Sequence, residues 1–287
     1  MKYLALAVAI AALLVPLHQS LAAQSVEQVP VYTMADGIIA IGDTEWGPYE
    51  LFGTPRFSAD GRRWGFAGIA SGKDKREGPR VVDVIIQGKK VASFPADFDW
   101  GDFTMSDDGS SWALSTSRGE ETTLRLDGKS YGPYRHLKFN PEFSPDGKHW
   151  IFAAEIDPEN YVIVADGKQY GPFKGFDFLR PAGLKSPWFA SVLKTSGAGV
   201  FLVNGKEYGP YGWIPQVVVS TDGGAWGFET EKKIGRSSFR VVVVNGVEYP
   251  GAEGLRLVTD ASGESFVWFT FSEEGDQAFL NRLRVGK

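Results

Sequence analysis

A turn followed by a large aromatic returns six times along this chain, and that recurrence limits the fold more than any other property of the sequence. Aligned on the aromatic, the copies are Trp64 in FSADGRRWGF, Trp112 in MSDDGSSWAL, Trp150 in FSPDGKHWIF, Trp188 in GLKSPWFA, Trp226 in VSTDGGAWGF and Phe266 in DASGESFVWF, at intervals of 48, 38, 38, 38 and 40 residues. A second series half a repeat later (VIIQGKK, LRLDGKS, IVADGKQ, FLVNGKE, VVVNGVE) has its glycines at Gly88, Gly128, Gly167, Gly205 and Gly246. A third runs through Gly47-Pro48-Tyr49, Gly132-Pro133-Tyr134, Gly171-Pro172-Phe173 and Gly209-Pro210-Tyr211, with worn copies at Phe94-Pro95 and Tyr249-Pro250-Gly251. A unit of about 40 residues is one supersecondary element that cannot cover its own apolar face, so it must stack on its neighbours.

In four of the six units a strand runs into Ser-x-Asp-Gly, where Asp bonds its own backbone and Gly accepts positive φ, so the chain reverses; Leu184 and Ser262 take the Asp place in the fourth and sixth. The aromatic begins a second strand. After a variable loop comes a β-branched strand and an Asn-Gly or Asp-Gly pair, the strongest short hairpin signal. A fourth strand ends on Gly-Pro, where proline is tolerated because an outermost strand need not donate further. Four antiparallel strands per repeat, arranged radially, predict an all-β fold: a six-bladed β-propeller over residues 38–287. The final FLNRLRVGK stops before a fourth strand, while GDTEWGPY (Gly42 to Tyr49) supplies a fourth strand with no first two before it. The expectation is a ring closed by that N-terminal strand, which removes two open sheet edges.

Ser-x-Asp-Gly before an aromatic strand, intact in four of six repeats and Ser-Pro-Asp-Gly at 144–147, behind an apolar leader, resembles the periplasmic TolB-type propeller and its WD-like relatives. The likeness covers residues 38 to 287. TolB-type proteins also carry a separate α/β domain ahead of the propeller, for which residues 23–37 leave no room.

The first residues give Lys2, an apolar run from Tyr3 to Val15, Pro16 and then small residues. This pattern reads as a signal peptide over 1–22, cut near Ala22 or Ala23, and the run is short of the roughly 20 residues that cross a bilayer. The expected product is secreted or periplasmic, without a membrane span, and a monomer; residues 23–37 form a lead-in. There is no cysteine, hence no disulfide and no lipidated thiol. After the cut, 29 basic residues face 35 acidic ones, a balance that argues against nucleic acid as a partner.

The turn residues Asp60, Gly61, Asp108, Gly109, Asp146, Gly147, Asp222 and Gly223 recur at repeat spacing, which reads as chain reversal rather than ligand binding. The aromatics at the start of each second strand read as packing between blades. Catalytic signals are sparse. Beyond the leader the histidines are His136 and His149, and Gly-x-Ser-x-Gly is absent. A zinc site would need more His or Cys ligands than the chain offers. The sialidase turn motif looks similar, but Asp and Gly are adjacent here in every intact copy. No catalytic residue, metal site or cofactor is expected. The alternative is a calcium-dependent propeller hydrolase, lactonase- or glycosidase-like, using channel carboxylates.

The repeat breaks in two places. From aromatic to hairpin glycine the units run 24, 16, 17, 17 and 20 residues, so the first carries an excess in SGKDKREGPR, residues 71 to 80. From hairpin glycine to the next aromatic, the first gap is 24 against 20 to 22 later, an excess in PADFDWGD, residues 95 to 102. In up-and-down blades both loops leave the same face. Lys73, Lys75, Arg76 and Arg80 beside Asp97, Phe98, Asp99, Trp100 and Asp102 therefore form the candidate binding surface, for an envelope or extracellular protein or an envelope polymer. Metal binding by Asp97, Asp99 and Asp102 is the weaker option, because they lack the spacing of a calcium loop.

Overall fold

The computed structural model describes residues 33–285 except 36, 42–43, 52–53, 71–79, 99, 181–187, 213, 215, 251, 261–262 and 272–276. All regular structure in the described residues is antiparallel strand, and the chain divides into two compact units, Met1–Pro48 and Tyr49–Lys287.

In the first unit β1 (Thr33–Ala35), β2 (Ile38–Ile41) and β3 (Thr44–Trp46) form a three-stranded meander. Thr33 lies opposite Ala40, and Ile39 opposite Trp46. The strand expected to stand without upstream partners is thus the third strand of its own sheet. The sequence reason is a second pair of turn signals, at Asp36-Gly37 and Gly42-Asp43, between short β-branched runs.

The second unit begins with β4 (Tyr49–Leu51) and β5 (Arg56–Phe57), which both pair with β6 (Trp64–Ala70), followed by β7 (Val81–Ile86) and β8 (Lys89–Pro95). The first strand of this group is therefore broken in two. A regular four-stranded sheet follows: β9 (Trp100–Met105), β10 (Trp112–Arg118), β11 (Glu121–Leu126) and β12 (Lys129–Tyr134). Next comes a seven-stranded path through β13 (His136–Phe143), β14 (Trp150–Asp157), β15 (Asn160–Ala165), β16 (Lys168–Arg180), β17 (Phe189–Lys194), β18 (Gly199–Val203) and β19 (Lys206–Tyr208). The 13-residue β16 joins two repeats: Lys168 to Phe173 pairs with β15, and Phe173 to Arg180 with β17. Divided at Phe173, the path is a third and a fourth group of four strands. The fifth group is β20 (Val217–Val219), β21 (Trp226–Ile234), β22 (Ser237–Val244) and β23 (Val247–Pro250); the sixth is β24 (Ala252–Asp260), β25 (Gly263–Phe271) and β26 (Ala278–Val285).

Five apolar clusters join these six groups in series. In β14, Phe152 and Ala154 meet Leu124, Leu126 and Tyr134 of the second group, while Ile151 and Ala153 meet Ala190, Val192 and Leu202 of the fourth. Alternation along one strand thus feeds two interfaces. Ala67, Val82 and Val84 pack on Phe103 and Leu114 between the first and second groups. Phe189 and Phe201 pack on Phe228 and Val243 between the fourth and fifth, and Val242 and Val244 on Phe266 and Trp268 between the fifth and sixth. Phe152, Phe201, Phe228 and Phe266 are fully buried, each burial stabilising by roughly 1.5–3 kcal/mol.

Trp112, Trp150, Trp188, Trp226 and Phe266 of the repeat series lie in or against these interfaces. Trp150 stacks on Phe152 of its own strand and meets the edge of Tyr131 from the preceding group at 5.1 Å. Trp226 does the same with Phe228 and Tyr208. A second device fastens the start of each second strand. The hairpin residues Gln87, Asp127, Asp166, Asn204 and Asn245, at φ 46–50°, accept from the backbone N–H of Trp64, Trp112, Trp150, Trp188 and Trp226 at 2.9–3.0 Å. Their own N–H groups donate back to the same tryptophans' carbonyls at 2.9–3.1 Å. Asn and Asp are favoured there for two reasons at once: they tolerate positive φ and they carry the acceptor.

Candidate functional site

The Ser-x-Asp-Gly turns close on themselves. Ser58, Ser106, Ser144 and Ser220 are buried, and each hydroxyl donates to the Asp two residues on at 2.6–2.7 Å. The same oxygens accept from the backbone N–H of Arg63, Ser111, His149 and Ala225 at 2.8–3.0 Å. Asp60, Asp108, Asp146 and Asp222 accept again from a backbone N–H at 2.9–3.3 Å. Gly61, Gly109, Gly147 and Gly223 take φ of 67–72°. Every carboxylate is thus occupied by its own turn. The Ser58 hydroxyl, then the Arg62 N–H, hold the Asp60 carboxyl below the ordinary range, and the Ser144 hydroxyl does so for Asp146. For Asp108, burial acts upward but is outweighed by the Ser106 and Ser110 hydrogen bonds, and the net direction is down.

Of the candidate surface, Lys73, Lys75, Arg76 and Asp99 lie outside the described residues. The anchor points of both enlarged connections are described, and they leave the same end of the first group. Ala70 pairs with Val81 and Val81 with Pro95, and the Ala96 N–H donates to the Arg80 carbonyl at 2.8 Å. Phe98 packs against the cluster of Ala67, Val84, Phe103 and Leu114. It is half-buried there, in the connection between β8 and β9. Trp100 opens β9 opposite Ser117, and Asp102 lies opposite Ser115. Asp97 is exposed and faces Arg118 at 3.6 Å.

Asp97 begins a line of charge that sequence spacing had not linked. Arg118 borders the turn between the second and third strands of its sheet, and Glu120 follows in that turn. Glu120 meets Arg135 at 3.3 Å, Arg135 meets Glu155 at 3.7 Å, and His136 Nδ1 lies 2.9 Å from the same Glu155 oxygen. The other Glu155 oxygen accepts from the Glu159 N–H at 2.9 Å. Glu155 is buried, 8% exposed, near the end of β14; Arg135 connects β12 to β13, and His136 is the first residue of β13. Asp97, Glu120 and Arg135 lie in second-to-third or fourth-to-first connections, the two kinds in which the insertions fall, and Arg118, His136 and Glu155 lie at or near the strand ends beside them. The only sequence signal for the cluster was Arg135-His136 beside Tyr134.

Two further groups escaped the sequence reading. Asp83, in the apolar run VVDVII, is buried and paired with Lys90 at 2.8 Å, while Ser93 donates to it at 2.8 Å. The carboxylate raises the Lys90 ammonium, and burial followed by the Asp83 charge raises the Tyr49 phenol. On β13, local desolvation raises the Glu142 carboxyl above its ordinary range against the pull of Arg180, although the residue is exposed. His149 pairs with Asp166 at 2.8 Å on the hairpin side. Among the described residues no group of three or more His, Asp or Glu side chains could hold a metal ion, and no helix is long and apolar enough to cross a membrane.

No protein-family model and no curated protein matches the chain. Solved structures do. A study of two prolyl endopeptidases gives 14% identity and a TM-score of 0.34 over 80% of this chain, which spans 41% of the matched one. The β-propeller domain of the Trilobed protease from Pyrococcus furiosus gives 14% and 0.33, covering 85% of this chain and 86% of that. A putative TolB from Agrobacterium tumefaciens gives 13% and 0.29, covering 86% and 94%.

Proposed function

We propose that this chain is an exported, non-catalytic β-propeller that serves as a binding platform for a protein or an envelope polymer. In this reading the six strand groups between Tyr49 and Val285 are blades of a TolB-like ring, and residues 1–22 direct export. The five interfaces that join successive groups support the ring.

The observation that carries the binding role is the shared end of the two enlarged connections, marked by the Ala70–Val81–Pro95 register. Lys73, Lys75, Arg76, Arg80, Asp97, Asp99, Trp100 and Asp102 supply the contacts. Buried aromatics dominate interface energies and flanking charges set specificity, which assigns Trp100 the first role and the ions the second. The line from Asp97 to His136 extends the same charged rim over the next two groups.

The test is capture from a bacterial envelope with the tagged protein, compared with a variant trimmed at 71–80 and carrying Trp100→Ala. Loss of specific partners from the variant supports the reading. Recovery of the same partners by both overturns it.

A further inference from the structure

The hairpin joining β21 to β22 departs from the repeat. The Gly212 N–H still donates to the Glu231 carbonyl at 2.7 Å. Beyond that residue three pairs, Lys232 with Phe239, Lys233 with Ser238 and Ile234 with Ser237, have no further strand beside them among the described residues. The turn is Gly235-Arg236. Paired residues share a face and faces alternate along a strand, so Ile234 and Phe239 stand on one side of this ribbon. They are 62% and 48% exposed. Lys233 lies on the other side, and Arg236 occupies the turn; both are exposed. Lys232 is held by Glu248 at 2.7 Å, and Arg240 by Glu253.

Two large apolar side chains on a narrow projecting ribbon are covered by nothing in their own sheet. Exposed apolar groups flanked by cations mark an interaction surface. A convex ribbon offers no groove for a peptide, whereas it can enter a soft, flat interface. The chain carries a formal net charge of −5, so approach to an anionic surface depends on a local basic site such as this tip.

We propose that the β21–β22 hairpin docks the protein on an anionic lipid surface. Ile234 and Phe239 enter the boundary between headgroups and acyl chains, and Lys233 and Arg236 lie among the phosphates. This role is independent of the platform proposed above and uses a different group of strands.

Flotation of the full chain with phosphatidylcholine vesicles, with and without phosphatidylglycerol, tests it. The apolar N-terminal run is common to every variant, so differences between variants report the hairpin. Preferential binding to the anionic vesicles, weakened by salt, is expected. Each basic residue near such a surface is worth roughly fivefold, so Lys233→Gln with Arg236→Gln lowers partitioning about 25-fold on anionic vesicles. Ile234→Ser with Phe239→Ser lowers it at least about tenfold at either composition. Unchanged thermal melts establish that both variants fold. Equal partitioning of parent and variants overturns the proposal, and so does a dimer in sedimentation that both variants abolish without any change in vesicle binding.

Discussion

Ser144→Ala tests whether the serine or the aspartate holds the recurrent turn. The Ser144 side chain is 1% exposed, donates to Asp146 at 2.7 Å and accepts from the His149 N–H at 3.0 Å. Removing the hydroxyl leaves the His149 amide without its side-chain acceptor inside the turn, while the Asp146 carboxylate can turn to water. An orphaned donor costs about 1–3 kcal/mol and a bond to a charged acceptor adds to this, so a loss of about 2 kcal/mol is expected. For a unit of this size that lowers the melting temperature by roughly 4–8 °C. Asp146→Ala keeps the bond from the His149 N–H to Ser144 and removes the acceptor of the Ser144 hydroxyl and of the exposed Lys148 N–H, so it should cost less. There is a pH signature too. The Asp146 carboxyl is held below its ordinary range, chiefly by the Ser144 hydroxyl. A depressed folded pKa contributes stability that is present above the unfolded value, near 3.9, and is lost as pH falls through the folded one. Ser144→Ala should therefore flatten the acid limb of the stability profile below about pH 4. Thermal melts followed by tryptophan fluorescence from neutral to acid pH read both effects. An Asp146→Ala variant that loses as much as Ser144→Ala would refute the reasoning.

Other substitutions probe the packing between groups. Gly205→Ala would put a methyl 2.0 Å from the Tyr170 ring at φ +79°, whereas Gly61, at φ +69°, faces open space; the first should cost about 2–4 kcal/mol and the second about 1–2 in urea unfolding. Phe152→Ala, at a fully buried site between the second and third groups, should cost about 3–5 kcal/mol. Calcium or a chelator should leave the melting temperature unchanged; calcium stabilisation abolished by replacing inner-strand acids such as Glu142 would favour the hydrolase instead.

The strand inventory was legible because its signals are local. Alternation, Asn-Gly or Asp-Gly pairs and Ser-x-Asp-Gly turns are short-range chemistry, and they mark an all-β chain of antiparallel strands in sequence order. Less was legible where the same signals were weak or had two readings. Gly42 to Tyr49 reads as a fourth strand with no first two before it because residues 23–37 look like lead-in, whereas Thr33–Ala35 and Ile38–Ile41 are the two strands that pair ahead of Thr44–Trp46. The long hairpin of the fifth group was visible as a 20-residue interval between Trp226 and Gly246, against 16 or 17 in its neighbours. Spacing gave no hint that its tip would be apolar on one side and basic on the other.

By itself, then, the sequence determined how each 40-residue segment folds back and which side chains face each way, since both follow from φ preferences and a two-residue period. Only the tertiary structure decided which groups share a strand, as Lys168–Arg180 does, and that Phe98 packs against the cluster of Ala67, Val84, Phe103 and Leu114. It also decided that Asp97, Arg118, Glu120, Arg135, Glu155 and His136 form a line of charge. Those six positions are spread over some 60 residues of chain. Coulomb interactions act through distance in space, and that distance exists only once the sheets have stacked.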